Sequence, residues 1–274
     1  MAKHNHGGTT VMTERRGSVL VLTLDGPDSR NAIGPEVYQA LQADIVSAGS
    51  DPRTRAVVLT GSGGFFSAGG NIKALKESAQ GTLAEATVRT DRLNAMILAI
   101  VNCPTPVLAA VEGGAAGAGL SLALACDIII SSTTARFAVA QVRVGLSPDG
   151  GATSFLRSAL PRQFVMEMCL LGLPVSAERL ASAGVINILT EDGKALEAAL
   201  ELAGRLAEGP PQTIGTIKTL VQAAATADLA TQLDREACAI NLGRYSAEAA
   251  EGLSAFLEKR QASFGPCAAR ADKQ

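Results

Sequence analysis

The chain has 274 residues, 47% hydrophobic and 18% charged, with 24 Lys+Arg against 26 Asp+Glu and a formal net charge of −2. That is the composition of a folded globular protein of one or two domains, which excludes disordered, collagen-like and low-complexity classes. Aromatic residues make up 3%, Trp is absent and there is no basic excess, so the chain lacks both the charge and the stacking surface of a nucleic-acid binder.

Residues 1–11 are polar and read as a disordered leader or tag remnant, with no signal peptide in Met1–Gly8. Val19–Leu24 is an apolar, β-branched run that predicts a strand, closed by Asp25-Gly26-Pro27. Pro35–Ala48 predicts a helix with Pro in its first turn. Ala56–Thr60 is a second strand, ended by Gly61-Ser62-Gly63-Gly64. Thr82-x-x-Glu85 is a capping-box pattern, opening a helix to about Ile100 in which Met96, Ile97, Ile100 and Val101 recur at helical spacing. Pro106–Val111 and Asp127–Ser131 are further strands; Asn102, Pro104 and Pro106 break the apolar run Ile97–Val111, so it does not span a membrane. Continuous apolar strands alternating with helices indicate an α/β sheet covered on both faces. From Pro161 onward the sequence reads helical and Ala/Leu-rich, with a last helix over about Ser246–Arg260. The layout expected is an α/β core over 12–205 and a helical region over 206–274 that packs on another subunit.

The two histidines, His4 and His6, both fall in the leader. Without an imidazole in the body of the chain, Ser-His-Asp and Cys-His catalysis and His-ligated zinc or iron are excluded. Acid–base chemistry then falls to carboxylates, Lys, Tyr, Cys or backbone groups. The cysteines, Cys103, Cys126, Cys169, Cys238 and Cys267, are odd in number and widely spaced. They suggest neither a disulfide framework nor a metal site, and fit reduced thiols in a cytoplasmic protein.

Two segments share one design of strand, glycine-rich turn and helix: Val57–Lys73 and Val107–Cys126. Small residues let a ligand approach the main chain, and free N–H groups at a helix start face an electron-rich atom. Two such turns can each supply one donor to a single oxygen, which is how an oxyanion hole is built. A dinucleotide fingerprint at Gly117-Ala118-Gly119 is set aside, because Asp127 follows far too soon to bind a ribose.

The ordered set Arg30-Asn31-Ala32, Leu59-Thr60-Gly61, Phe66-Ser67-Ala68-Gly69-Gly70-Asn71-Ile72, Val111-Glu112-Gly113, Gly117-Ala118-Gly119, Ala125-Cys126-Asp127-Ile128, Ala135-Arg136-Phe137 and Gly145-Leu146-Ser147-Pro148-Asp149-Gly150-Gly151 resembles the crotonase, or enoyl-CoA hydratase/isomerase, superfamily, with Ala255–Arg260 as its tail. The resemblance implies an α/β spiral of ββα units with a helical oligomerisation region, homotrimers or homohexamers, and acyl-CoA thioester substrates. Coenzyme A would enter as part of the substrate, with no separate cofactor and no metal. The resemblance assigns the oxyanion donors to the N–H groups of Ala68 and Ala118, and expects Asn71, in place of the family's usual Asp, to act locally in a turn. Gly117, Phe137, Ser121 and Gln141 would line the substrate pocket. Arg30, Ala32, Ser67, Gly69, Gly70 and Ile72 would meet CoA, joined by Phe256 and Lys259 of a neighbouring subunit.

The family's hydratases use two glutamates, at positions that hold Ser121 and Gln141 here. Neither ionises as a carboxylate, so standard syn hydration is compromised. The remaining acid is Asp149. Pro-Asp-Gly is also good turn sequence, in which Asp149 would simply cap a helix beginning near Gly150. Family members with Asp at this position resemble isomerases, and one carboxylate suffices for a 1,3-proton shift. Phe137, Val142, Val144 and Leu146 are expected to surround it and raise its affinity for a proton. The reading is therefore a double-bond isomerase using Asp149. The alternatives are a hydratase with atypical acids and a silent acyl-CoA-binding oligomer.

Overall fold

The computed structural model describes residues 8–265, so His4, His6 and Cys267 lie outside the described residues. The chain opens with an antiparallel hairpin of β1 (Thr10–Arg16) and β2 (Val19–Asp25), in register from Thr10↔Asp25 to Arg16↔Val19. Thr10 and Val11, read as leader, are thus the start of a strand. β1 is nearly all exposed and carries no apolar alternation, which is why its sequence gives no strand signal. Then come α1 (Pro35–Ser50), β3 (Ala56–Gly61), α2 (Ile72–Ser78) and α3 (Leu83–Asn102), followed by β4 (Val107–Val111), β5 (Gly114–Ala116), α4 (Ala118–Leu124), β6 (Ile128–Ser132) and β7 (Arg136–Ala138). The predicted capping box at the start of α3 is present in full, with Thr82 and Glu85 each satisfying the other's backbone amide.

The main sheet runs β1-β2-β3-β4-β6, and every neighbour after the hairpin is parallel. Its strands bury both faces by alternation. Leu20, Leu22, Leu24, Val57, Leu59, Val107 and Ala109 point into the larger core with α1 and α3. Val19, Val21, Ala56, Val58, Leu108 and Ala110 point to the other side.

After α5 (Ala152–Ala159), α6 (Arg162–Leu171), β8 (Val175–Ser176), α7 (Ala177–Ser182) and β9 (Ile188–Thr190), the helix α8 (Ala195–Ala207) returns across that second face. It seats Ala195, Ala199 and Ala203, all fully buried, against the sheet. Alanines at this spacing let the helix axis lie close. β9 adds to the sheet beside β6, and β5, β7 and β8 form a small second sheet.

The last described helices are α9 (Pro211–Ala224), α10 (Leu229–Gly243) and α11 (Ala247–Leu257), where the buried positions are Gly215, Gln232 and Ala255. Asp127 anchors this region: it accepts from Val107 N–H at 2.8 Å and from Lys218 Nζ at 2.7 Å. Burial pushes the Asp127 carboxyl above its ordinary range, and Lys218 opposes the shift. Glu112 is likewise structural, taking the amides of Gly193 and Ala195 at the start of α8.

Candidate active site

The first glycine-rich turn is braced by Asn31. Its side chain accepts from Gly26 N–H at 2.9 Å and donates to the carbonyls of Ser62 and Phe65 at 2.9 and 2.6 Å. Asn31 is fully buried, and these bonds hold it and Arg30 in the left-handed region, at φ 55° and 52°. That conformation costs an L-residue about 1–2 kcal/mol, so the loop is over-determined rather than relaxed. The exposed Arg30 guanidinium stands 5.5 Å from the Phe65 ring centroid.

The same brace corrects one expected donor. The Ala68 N–H is bonded to the Arg30 carbonyl at 2.8 Å, so it is not free to hold a substrate oxygen. Ser67 is fully buried: its hydroxyl donates to Asn31 O at 2.8 Å and accepts from Gly69 N–H at 3.2 Å, and its amide donates to Gly114 O. It supports the loop from behind and presents neither side chain nor amide to a ligand. Two residues past Ala68, the Gly70 N–H has no acceptor among the described residues. Gly69, at φ 87°, sits where a Cβ would come within 2.5 Å of Ala116 O and 3.0 Å of Ala118 N. Only glycine lets the first turn touch the second there. Ala32 is half-buried, and the exposed Ile72 opens α2 behind Asn71, whose side chain caps the helix through Lys73 and Ala74 N–H, the local role expected.

In the second turn Gly117, at φ 53°, donates to Ala138 O at 3.0 Å and turns the chain into α4. Ala118 is the first helical residue, and its N–H is one of the donors that a helix leaves unsatisfied. Among the described residues the Gly70 and Ala118 amides are therefore two donors without a protein acceptor, one in each turn, where the turns meet. Phe137 is not a pocket residue: it is 1% exposed and packs in the main core.

Asp149 reaches this junction from the segment before α5. Its side chain does not cap that helix; the N-cap is Gly151, with no side-chain bond. Instead Asp149 Oδ1 accepts from Gln141 Nε2 at 3.0 Å, and Asp149 O accepts from the Ser121 hydroxyl at 2.8 Å. Gly150 and Gly151 follow at φ 59° and 82°. A Cβ on Gly150 would lie 2.9 Å from Ser121 Cβ, so the glycine allows the acid's backbone to press against α4. The apolar enclosure expected from Val142, Val144 and Leu146 is absent within one chain, because all three are exposed. The neighbour that sequence reasoning missed is Tyr38 on α1. Burial first, and the Asp149 charge second, push its phenol up to about 12, so it stays neutral within reach of the acid's charge. One of only two tyrosines, just after the Arg30-Asn31-Ala32 motif, was the available signal.

Phe256 and Lys259 are exposed, and among the described residues no hydrogen bond or ion pair joins either to these turns. Glu77, Glu85, Asp91 and Arg92 are exposed, as a solvated helix face requires.

The enoyl-CoA hydratase/isomerase family model matches residues 14–266. The chain belongs to that family. It is an acyl-CoA enzyme with the crotonase fold. Over 255 residues it is 34% identical to the 1,2-epoxyphenylacetyl-CoA isomerase of Escherichia coli (strain K12), covering 93% of this chain and 97% of the relative. It is 32% identical over 256 residues to the 2,3-dehydroadipyl-CoA hydratase of the same organism, covering 93% and 98%. The crystal structure of an enoyl-CoA hydratase from Polaromonas sp. JS666 superposes with a TM-score of 0.91 at 38% identity, over 92% of this chain and 98% of that one. The relatives thus include both isomerases and hydratases.

Proposed function

We propose that this enzyme is an acyl-CoA isomerase that moves a carbon–carbon double bond from Δ3 to Δ2, in an aliphatic or aromatic-derived enoyl-CoA. The observation that carries the reading is the use made of Ser121 and Gln141. Both positions that would hold a hydratase glutamate instead hold Asp149, and leave it as the carboxylate at the junction of the turns. Hydration needs a base for water and an acid for carbon; a 1,3-proton shift needs one group that does both in turn.

The thioester oxygen sits between the Gly70 and Ala118 amides. Asp149 removes a proton from C2, and the C–H pair passes into a dienolate whose negative oxygen those amides stabilise. The same carboxyl then returns the proton at C4. The C3=C4 pair forms the new C4–H bond, the C1=C2 pair moves to make C2=C3, and the oxygen's pair re-forms the carbonyl. No net proton or electron is exchanged, so the shift calls for no cofactor beyond the CoA carried by the substrate.

The exposed Arg30 is suited to the CoA phosphates, with the main chain of Ala32, Gly69, Gly70 and Ile72 beside the nucleotide. Phe256, 82% exposed, and Lys259 would arrive from a second protomer. Ile217, Val221, Leu229, Ile240, Leu253 and Leu257 are also exposed on α9–α11, which supports a homotrimer or a homohexamer. Among the described residues no helix is long and apolar enough to cross a membrane. Cys103, Cys126, Cys169 and Cys238 are free thiols, which suits the cytoplasm.

Assaying Δ3-enoyl-CoA and Δ2-enoyl-CoA thioesters separately tests the reading. Conversion of the first without hydration of the second is expected. Hydration alone would make the enzyme an atypical hydratase, and binding without turnover would make it a silent acyl-CoA carrier.

A further inference from the structure

We infer that Gln141 is a positioning residue that gives the two carboxylate oxygens of Asp149 different tasks: Oδ1 is tied down and Oδ2 is left to carry the proton. The inference rests on the isomerase reading above and deepens it. Gln141 lies in the short 3-10 turn Ala140–Val144, and its Nε2 donates to Oδ1 at 3.0 Å. The other end of the amide shows what this contact outweighs. Gln141 Oε1 is buried and has no hydrogen-bond partner among the described residues. Turning the amide over would set two acceptors against each other, since an ionised carboxylate only accepts. The side chain thus leaves one buried acceptor unpaired while its donor stays on Asp149, although buried polar atoms in folded proteins are nearly always paired.

Three supports fix the geometry. The Ser121 hydroxyl holds the Asp149 carbonyl at 2.8 Å, so the backbone is set independently of the carboxylate. Gly150 and Gly151 allow that close approach. The Gln141 amide also stands over Gly117 of the second turn, where a Cβ would lie 3.8 Å from its amide carbon. One side chain therefore touches the acid and lies over the donor turn. Ser121 from α4 and Gln141 from the 3-10 turn carry no charge; a titratable group that feels the Asp149 charge from another element is Tyr38 on α1, which stays neutral.

Gln141→Leu removes the donor, and Gln141→Glu keeps the shape but sets a second carboxylate against Oδ1. In Gln141→Leu, kcat for Δ3 to Δ2 conversion should fall about tenfold to a hundredfold, the range of one hydrogen bond to a charged group, while KM changes little. The acid limb of the kcat profile should move to higher pH, because a bond to the ionised form is lost, and further still in Gln141→Glu, because a like charge is added. In an Asp149→Asn background, Gln141→Leu should cost nothing more. Carbodiimide labelling of Asp149 across pH, mapped by peptide mass spectrometry, reads the same shift without turnover. A wild-type protein that isomerises no Δ3-enoyl-CoA overturns the isomerase reading, while the labelling still decides the role of Gln141. Rate and labelling profiles in both variants that superpose on wild type, or a change confined to KM, would overturn the positioning role. Gln141→Glu, being isosteric, serves if the leucine variant does not fold.

Discussion

The two glycine-rich turns look alike in sequence, yet each leaves a backbone amide without an acceptor by a different route. In the second turn the donor is the first amide of a helix, unpaired because helices begin that way, and the motif points straight to Ala118. In the first, the equivalent reading points to Ala68, whose amide is already bonded to Arg30; the free amide lies two residues on, at Gly70, before the capped start of α2. A helix start advertises its free donors locally. A loop donor is free only if no other part of the chain has claimed it, and that is a tertiary fact.

The second turn carries more of the site, since α4 also supplies Ser121 and through it the seat of Asp149. The largest effect should therefore come from Asp149→Asn, which keeps volume and polarity but removes the base. Loss of isomerisation by about 10²–10⁴-fold with an unchanged melting temperature is expected; near-normal turnover would show that Asp149 serves only structure. Next, Ala118→Pro removes one N–H at a helix position that accepts proline, and kcat should drop about 10²–10³-fold with the fold intact. Ala68→Pro removes the neighbouring loop's internal bond instead. It should show first as lost stability of about 1 kcal/mol in thermal melts, with a smaller loss in kcat than Ala118→Pro. The reverse order of those two kcat losses would break the distinction between the turns.

The smallest effect is spectroscopic. In a Tyr245→Phe background, the ultraviolet titration of Tyr38 should have its midpoint near 12. Adding Asp149→Asn removes a negative charge that disfavours the phenolate, so the midpoint should fall, though burial keeps it raised. The sign for stability follows. A phenol raised in the folded state contributes stability that is fully present below pH 10, its unfolded value, and is lost as pH rises through about 12. Urea melts in that window should show the loss, and Tyr38→Phe should abolish it.

Much of the fold was legible because its signals are local. Thr82 and Glu85 announce α3 within four residues, and the apolar runs of β2, β3, β4 and β6 lie in a sheet covered on both faces. β1 was not legible: Thr10–Arg16 has only Val11 and Met12 as apolar residues, one on each face, too few to make an alternation, and its pairing with β2 makes it a strand. Within the site, Asp149, Ser121 and Gln141 stood out by residue type, but their bonds to one another did not. Phe137 was misread because a β-strand residue faces either the pocket or the core, and a three-residue strand gives too little pattern to tell which.

Ser121 grips Asp149 by its carbonyl oxygen, an atom that every amino acid possesses. Position 149 is therefore a socket: the path of the chain there does not depend on the side chain mounted on it. On the mechanism proposed above, evolution or a designer can exchange the reactive group by one codon while the backbone, the flanking glycines and the two turn amides stay in place. A scaffold built this way separates the holder from the tool, and opens to one protein lineage several reactions that share an enolate.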